Sequence, residues 1–111
     1  MGNIFFVNEK PEVFTAAFQT EICHVHVKDY IWKKSNVSPG EMWLPAKDNS
    51  WLCDTNVGTG IIDFKTCMSL LKNIGYSGAY SLENSEAEPY QENTKKTMDY
   101  LRRLASDESC K

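Results

Sequence analysis

Short apolar runs alternate with amphipathic segments along the chain, and this pattern predicts a mixed α/β fold. The runs Ile4–Val7 and Ile22–Val27 are rich in β-branched or aromatic residues, which is typical of buried strands. A third strand is expected over Gly78–Glu83, and like the second it ends in polar residues. Between the first two strands, Pro11 and the apolar residues that follow at helical spacing predict a helix over about 11–21.

Two more helices follow from apolar stripes in the second half of the chain. Asp63 is placed to cap a helix that ends at Gly75, with a stripe formed by Phe64, Cys67, Met68, Leu71 and Ile74. The last helix follows a run of glutamates and carries basic residues toward its end, the order that the helix dipole favours. Its glutamates are Glu86, Glu88 and Glu92, and its predicted apolar face is Tyr90, Met98, Leu101 and Ala105.

The stretch from Tyr30 to Gly60 has no clear period and predicts a long loop. It contains several turn residues together with all three tryptophans, Trp32, Trp43 and Trp51. Long structureless connections in compact domains are usually functional, and the tryptophans indicate that this one folds over an apolar surface. The chain then has the order strand, helix, strand, loop, helix, strand, helix, which predicts βαβ crossovers and a parallel sheet.

Composition places the chain among soluble globular domains. Its 111 residues suit one domain over residues 1–111, and 41% hydrophobic with 24% charged residues is close to the globular average. A net charge of -3 disfavours nucleic acid as a partner, and no apolar run is long enough to cross a membrane. The cysteines form no C-x-x-C pair, so we expect free thiols and a cytoplasmic protein. Cys23, Cys53 and Cys67 are expected to be buried, and Cys110 lies in the C-terminal tail.

Candidate chemistry lies at the carboxyl ends of the second and third strands. His24 and His26 are two residues apart on a strand and share one face with Lys28. Parallel α/β folds place their chemistry at this end of the strands, so the pair, beside Lys28 and Asp29, favours a ligand role for at least one histidine. Glu83 can add a carboxylate to the same mouth, and imidazole with carboxylate suits Zn²⁺, Mn²⁺ or a similar ion.

Each of these residues also has a structural interpretation. The histidines can be strand residues with satisfied hydrogen bonds, and Glu83 is equally well explained as an acid that pairs with a lysine or arginine. Gly58 and Gly60 lack the remainder of a phosphate-binding motif and are better explained as turn glycines. The residues alone therefore indicate a site without fixing its chemistry.

Three motifs occur in one order along most of the chain. They are His24-Val25-His26-Val27-Lys28-Asp29, then Gly58-Thr59-Gly60-Ile61-Ile62-Asp63-Phe64, then Ile74-Gly75-Tyr76-Ser77-Gly78-Ala79-Tyr80-Ser81-Leu82-Glu83. These motifs resemble the last part of the xylose isomerase-like TIM barrels, the sugar and sugar-phosphate isomerases and epimerases. The resemblance implies an α/β fold that is a C-terminal fragment of a (β/α)8 TIM barrel, with about three βα units and parallel strands.

The same resemblance implies roles for single residues. His26 and Glu83 match two of the family's metal ligands, and the expected cofactor is a divalent ion, Mn²⁺, Mg²⁺, Co²⁺ or Zn²⁺. Glu83 and Lys28 are expected to act in catalysis, and His24, Asp29 and Trp32 to contact the sugar or sugar phosphate. The family's other two ligands, a glutamate and an aspartate, lie on earlier strands, so the isolated chain is expected to hold half of the metal site.

Three hypotheses about function follow. The first is a truncated metal-dependent sugar or sugar-phosphate isomerase, inactive as an isolated chain. The alternative is a non-catalytic oligomeric interaction module that pairs with a second copy or a companion chain, because three barrel strands leave two unpaired edges and an inner apolar face. An apurinic endonuclease of the same superfamily is disfavoured by the acidic charge and by having only two histidines for a multi-zinc site.

Overall fold

The computed structural model describes residues 1–3, 9–84 and 89–106. It contains helices α1 (Pro11–Ala17), α2 (Phe64–Asn73) and α3 (Tyr90–Ser106), and strands β1 (Val25–Val27), β2 (Asp29–Lys34), β3 (Trp43–Pro45), β4 (Ser50–Thr55) and β5 (Tyr80–Leu82). The predicted strand over Ile4–Val7 lies outside the described residues, as do Glu86, Glu88 and Cys110.

A parallel strand pair forms the centre of the fold. β1 and β5 run parallel, with Val25 opposite Tyr80 and Val27 opposite Leu82. Val25 and Val27 are buried in one apolar cluster with Val57, Ile62, Phe64 and Leu71, and Leu82 and Leu101 pack against it. The mixed α/β class and the parallel pairing predicted from the sequence are therefore confirmed, and among the described residues the strands do not close into a barrel.

Helix α2 has the ends that its sequence predicts. The Asp63 side chain accepts a hydrogen bond from the Thr66 backbone N–H, and the helix is followed by Gly75 with a φ of 79°. The left-handed region is open to glycine at little cost, so Gly75 ends the helix. Phe64, Cys67 and Leu71 form the buried face of α2, as predicted.

The other two helices differ in part from the prediction. α1 ends at Ala17 rather than near residue 21, because the Phe18 N–H closes the last turn on Phe14 and the chain then leaves the helix. Along α3, the residues that face the core are Thr97, Tyr100, Leu101 and Leu104, whereas Tyr90 and Ala105 are exposed. The Asn84 side-chain amide donates to Thr97 Oγ1 at 3.1 Å, and this bond holds the Thr97 face of α3 inward.

The predicted loop from Tyr30 to Gly60 is wrong in part, because this stretch contains most of β2 and all of β3 and β4. β2, β4 and β3 form an antiparallel sheet in that order, in which Trp32 lies opposite Leu52 and Trp43 opposite Cys53. Asp48 and Asn49, both with a φ of 58°, reverse the chain between β3 and β4. Of the three tryptophans expected to cover an apolar surface, Trp32 is 45% exposed, whereas Trp43 and Trp51 are partly buried. We call this sheet, residues 29–55, the antiparallel sheet.

A buried carboxylate joins the antiparallel sheet to the loop that leads into α2. Asp29 is fully buried, and its Oδ1 accepts hydrogen bonds from the backbone N–H groups of Tyr30 and Ile62 at 3.0 and 3.1 Å. Its Oδ2 accepts from the N–H groups of Gly58 and Gly60, both at 2.9 Å. A side chain at Gly60 would collide with the Tyr30 carbonyl oxygen, so this packing requires glycine there. Asp29 therefore fixes the loop that leads into α2.

The described cysteines are free, as predicted, but they differ in burial. Cys67 is buried, Cys53 is partly buried and Cys23 is exposed, so the expectation of three buried thiols fails for Cys23. Burial raises the pKa of Cys67 to about 12, which keeps this thiol protonated at neutral pH. None of the helices in the described ranges is long and apolar enough to span a membrane.

Replacing Asp29 by asparagine tests its structural role. The amide nitrogen of asparagine cannot accept a hydrogen bond, so the two N–H groups on one oxygen lose their acceptor in a buried place. We expect Asp29→Asn to lower the free energy of unfolding by about 2–4 kcal/mol, as measured by urea denaturation.

Asp99→Asn is the matched control for this experiment. Asp99 is an exposed acid on α3, 3.7 Å from Arg102, and such pairs contribute at most about 1 kcal/mol. Equal effects of the two substitutions would contradict the anchoring role of Asp29.

Candidate functional site

The two faces of the parallel pair differ in chemistry. Val25, Val27 and Leu82 point toward the helices and the core. The opposite face carries His24, His26, Lys28, Ser81 and Glu83, because side chains alternate along a strand. We expected an apolar inner face for a barrel fragment. On β1 and β5 this face is polar, so the expectation is wrong for these two strands. We call these five residues the polar face.

His26 and Glu83 form the closest pair on this face. His26 Nδ1 lies 2.9 Å from Glu83 Oε1, and their side chains are 57% and 43% exposed. An ionised carboxylate only accepts hydrogen bonds, so Nδ1 carries the proton and Nε2 keeps its lone pair in the neutral ring. The hydrogen bond from His26 is the main cause that lowers the pKa of Glu83. Desolvation opposes it, and the charge of Lys28 adds to the lowering. Glu83 is therefore an anion at neutral pH.

Lys28 lies between two carboxylates. Its Nζ is 3.8 Å from Glu83 Oε2 and 3.3 Å from Asp54 Oδ1. Asp54 is a residue that the sequence reasoning missed, because it belongs to β4 and reaches the site only through its pairing with Tyr30 in β2. Its place follows from the antiparallel pairing of β2 with β4, two strands that are not consecutive in the sequence, and no local pattern signals that pairing.

His24 forms a second pair on the polar face. Its Nε2 lies 2.9 Å from Ser81 Oγ, and its ring packs edge-on against that of His26, with 5.0 Å between the ring centroids. Both histidines thus have hydrogen-bond partners, as their structural interpretation requires. Each ring nevertheless keeps one nitrogen that is not used in these bonds, so the structural and ligand interpretations are compatible.

The remaining predicted site residues lie elsewhere. Asp29 is buried beneath the polar face with both oxygens occupied by backbone N–H groups, an arrangement that supports folding rather than substrate contact. Trp32 lies on the antiparallel sheet, and its contact with substrate stays a prediction. Asp63 is a helix cap and Gly58 a turn glycine with a φ of 98°, as their structural interpretations have it.

The donor types of the polar face fit a divalent cation in part. His26 and Glu83 supply an imidazole nitrogen and a carboxylate. Their atoms 2.9 Å apart, Nδ1 and Oε1, can both bind one ion once the ring proton moves from Nδ1 to Nε2, because metal–ligand bonds are about 2.0–2.3 Å long. Within residues 1–3, 9–84 and 89–106, no group of three or more His, Cys, Asp or Glu side chains is arranged to hold a metal. The pair therefore offers two ligands.

Comparison with known proteins identifies the family. The family model described as xylose isomerase-like TIM barrel matches residues 1–104, so the chain belongs to this family. This confirms the resemblance carried by the three sequence motifs. No curated protein and no solved structure matches the chain.

Proposed function

We propose that this chain supplies two ligands, His26 and Glu83, of a divalent-cation site in a metal-dependent sugar or sugar-phosphate isomerase or epimerase. The observation that carries the proposal is the 2.9 Å contact between these side chains at the carboxyl ends of two parallel strands. TIM-barrel enzymes place their active sites at this end of the strands. Membership of the xylose isomerase-like family supports the sugar class of substrate.

The residues of the polar face can take separate roles in such a reaction. The bound ion would polarise a carbonyl and a neighbouring hydroxyl of the sugar. Glu83 is anionic at neutral pH and can accept a proton, while the Lys28 ammonium can donate a hydrogen bond to a sugar oxygen on which negative charge develops. His24 and Ser81 are placed beside them to bind a hydroxyl group.

The cellular location and the partners are proposed from the cysteines, the net charge and the number of ligands. We place the protein in the cytoplasm, since the free thiols Cys23, Cys53 and Cys67 suit a reducing compartment. The net charge of -3 disfavours nucleic acid as a partner. The ligands beyond His26 and Glu83 would come from outside the described residues, and a companion chain or a second copy of this one is the source that we propose.

Cation binding tests the ligand assignment. We expect Mn²⁺ to bind the chain, and we expect the double variant His26→Ala/Glu83→Gln to bind it at least about tenfold more weakly, because both proposed donors are removed. Free Mn²⁺ is counted by electron paramagnetic resonance during a titration.

His24→Ala is the matched control for this titration. It removes the neighbouring imidazole from the same strand face but neither proposed ligand, so the affinity should stay close to that of the natural chain. Full binding by the double variant would refute the assignment.

Activity of the chain alone is the second test. Catalytic metal sites usually have about three protein ligands, so a cation held by His26 and Glu83 alone is poorly fixed, and we expect no turnover. The measurement is ketose–aldose interconversion with Mn²⁺, Co²⁺ or Mg²⁺ over sugars and sugar phosphates. Turnover that disappears in His26→Ala would show that this chain assembles a complete site.

A non-catalytic interaction module remains the second candidate function. It is favoured by large apolar side chains on the surface, with Phe18 of the α1 end 48% exposed and Leu44 of the antiparallel sheet 54% exposed. Among the described residues, β1 and β5 pair only with each other, and open strand edges can pair with another chain.

Association in solution tests this candidate. We expect the chain to form dimers or larger oligomers at micromolar concentration, because paired edges and covered apolar side chains stabilise the associated form. Light scattering coupled to size-exclusion chromatography gives the mass directly. A monodisperse monomer that binds no apolar dye would contradict the expectation.

A further inference from the structure

Two carboxylates compete for the Lys28 ammonium, and they come from different sheets. Asp54 of β4 is the nearer, at 3.3 Å, and Glu83, after β5, lies at 3.8 Å. The Lys28 side chain is only 23% exposed, so water screens these contacts less than at the surface. In this structure the ammonium lies nearer to Asp54 than to Glu83.

Asp54 depends on this contact. Its Oδ1 is buried and has no hydrogen bond among the described residues, so the Lys28 ammonium is the charge that compensates it. Burying a carboxylate oxygen without a partner is unfavourable, which gives the Lys28–Asp54 pair a reason to persist. The Tyr30 ring, 5.7 Å from Lys28 Nζ, borders the ammonium on another side.

The position of Lys28 decides what Glu83 can bind. An ammonium in direct contact with Glu83 would occupy the carboxylate that a divalent cation needs, and the two positive charges would repel each other. Held by Asp54, the ammonium leaves Glu83 in contact with His26. The 0.5 Å difference between the two Lys28 contacts, 3.3 against 3.8 Å, favours this arrangement.

We infer that Asp54 is a positioning residue: it draws the Lys28 ammonium from Glu83 toward the antiparallel sheet and thereby keeps the His26–Glu83 pair open to a divalent cation. The cation part of this inference rests on the proposed function, whereas the position of Lys28 does not. Asp54 reaches the site because β4 pairs with β2, so the antiparallel sheet supplies a carboxylate beside the polar face.

A double-mutant cycle tests the cation part. Mn²⁺ affinity is measured for the natural chain, Asp54→Asn, Lys28→Met and Asp54→Asn/Lys28→Met. With Lys28 present, Asp54→Asn should weaken binding by about fivefold or more, because the ammonium moves onto Glu83. With Lys28→Met, the same substitution should change the affinity by less than about twofold.

Two outcomes of this cycle would overturn the inference. Equal losses in both backgrounds would mean that Asp54 acts by its own charge or through the fold rather than through Lys28. No loss in either background would mean that it does not influence the pair at all. Asp99→Asn, which removes a distant exposed carboxylate, controls for the change in net charge.

The position of Lys28 is tested without any metal. Nuclear magnetic relaxation of the lysine ¹³Cε groups reports how firmly each ammonium is held, with the exposed Lys96 as reference. We expect Asp54→Asn to lower the order of the Lys28 group more than Glu83→Gln does. A larger effect of Glu83→Gln than of Asp54→Asn on the Lys28 group would refute the role of Asp54.

The two experiments separate two kinds of failure. If Mn²⁺ does not bind through His26 and Glu83, the proposed function fails, and the relaxation experiment still decides whether Asp54 positions Lys28. If Mn²⁺ binds there and the cycle shows no dependence on Lys28, the proposed function stands and this inference fails.

Discussion

The Asp29 carboxylate is the interaction on which the described structure depends most. It accepts four backbone hydrogen bonds, one from Tyr30 at the start of β2 and three from the segment that leads to α2, Gly58 to Ile62. A buried charge is tolerated only when its acceptor sites are satisfied, so the chain must bring those N–H groups together. The long segment between β1 and α2 therefore begins and ends at the same place, because residues at both of its ends bind the Asp29 side chain.

The parallel pair has one polar and one apolar face because side chains alternate along each strand. Val25 and Val27 must be buried, and this places His24, His26 and Lys28 on the opposite face without any further constraint. A slip of one residue in the pairing would exchange the two faces, so the same burial that stabilises the fold also fixes the register of the polar residues. Burial of Val25 and Val27 therefore both stabilises the fold and positions the residues of the candidate site.

Features with a clear sequence pattern could be predicted, and features without one could not. The ends of α2 follow from Asp63 and Gly75, which act within one turn of the helix. The meeting of His26 and Glu83 follows from two strands that end at the same edge of a parallel pair. The antiparallel sheet was missed because its strands lack a sustained alternation in burial: the last four residues of β2, Ile31 to Lys34, are all exposed, and β4 alternates only over its first three residues.

Two aspartates of the antiparallel sheet contact residues outside it, and the two contacts differ in kind. Asp29 binds backbone N–H groups, so it fixes where the chain runs, and its effect is on stability. Asp54 binds only the end of the flexible Lys28 side chain, so losing it leaves the backbone path intact and changes where one positive charge lies. Two aspartates in the same sheet can therefore have separable effects, one on folding and one on the electrostatics around Glu83. The sheet is then part of the candidate site and cannot be treated as an insertion that merely connects β1 to α2.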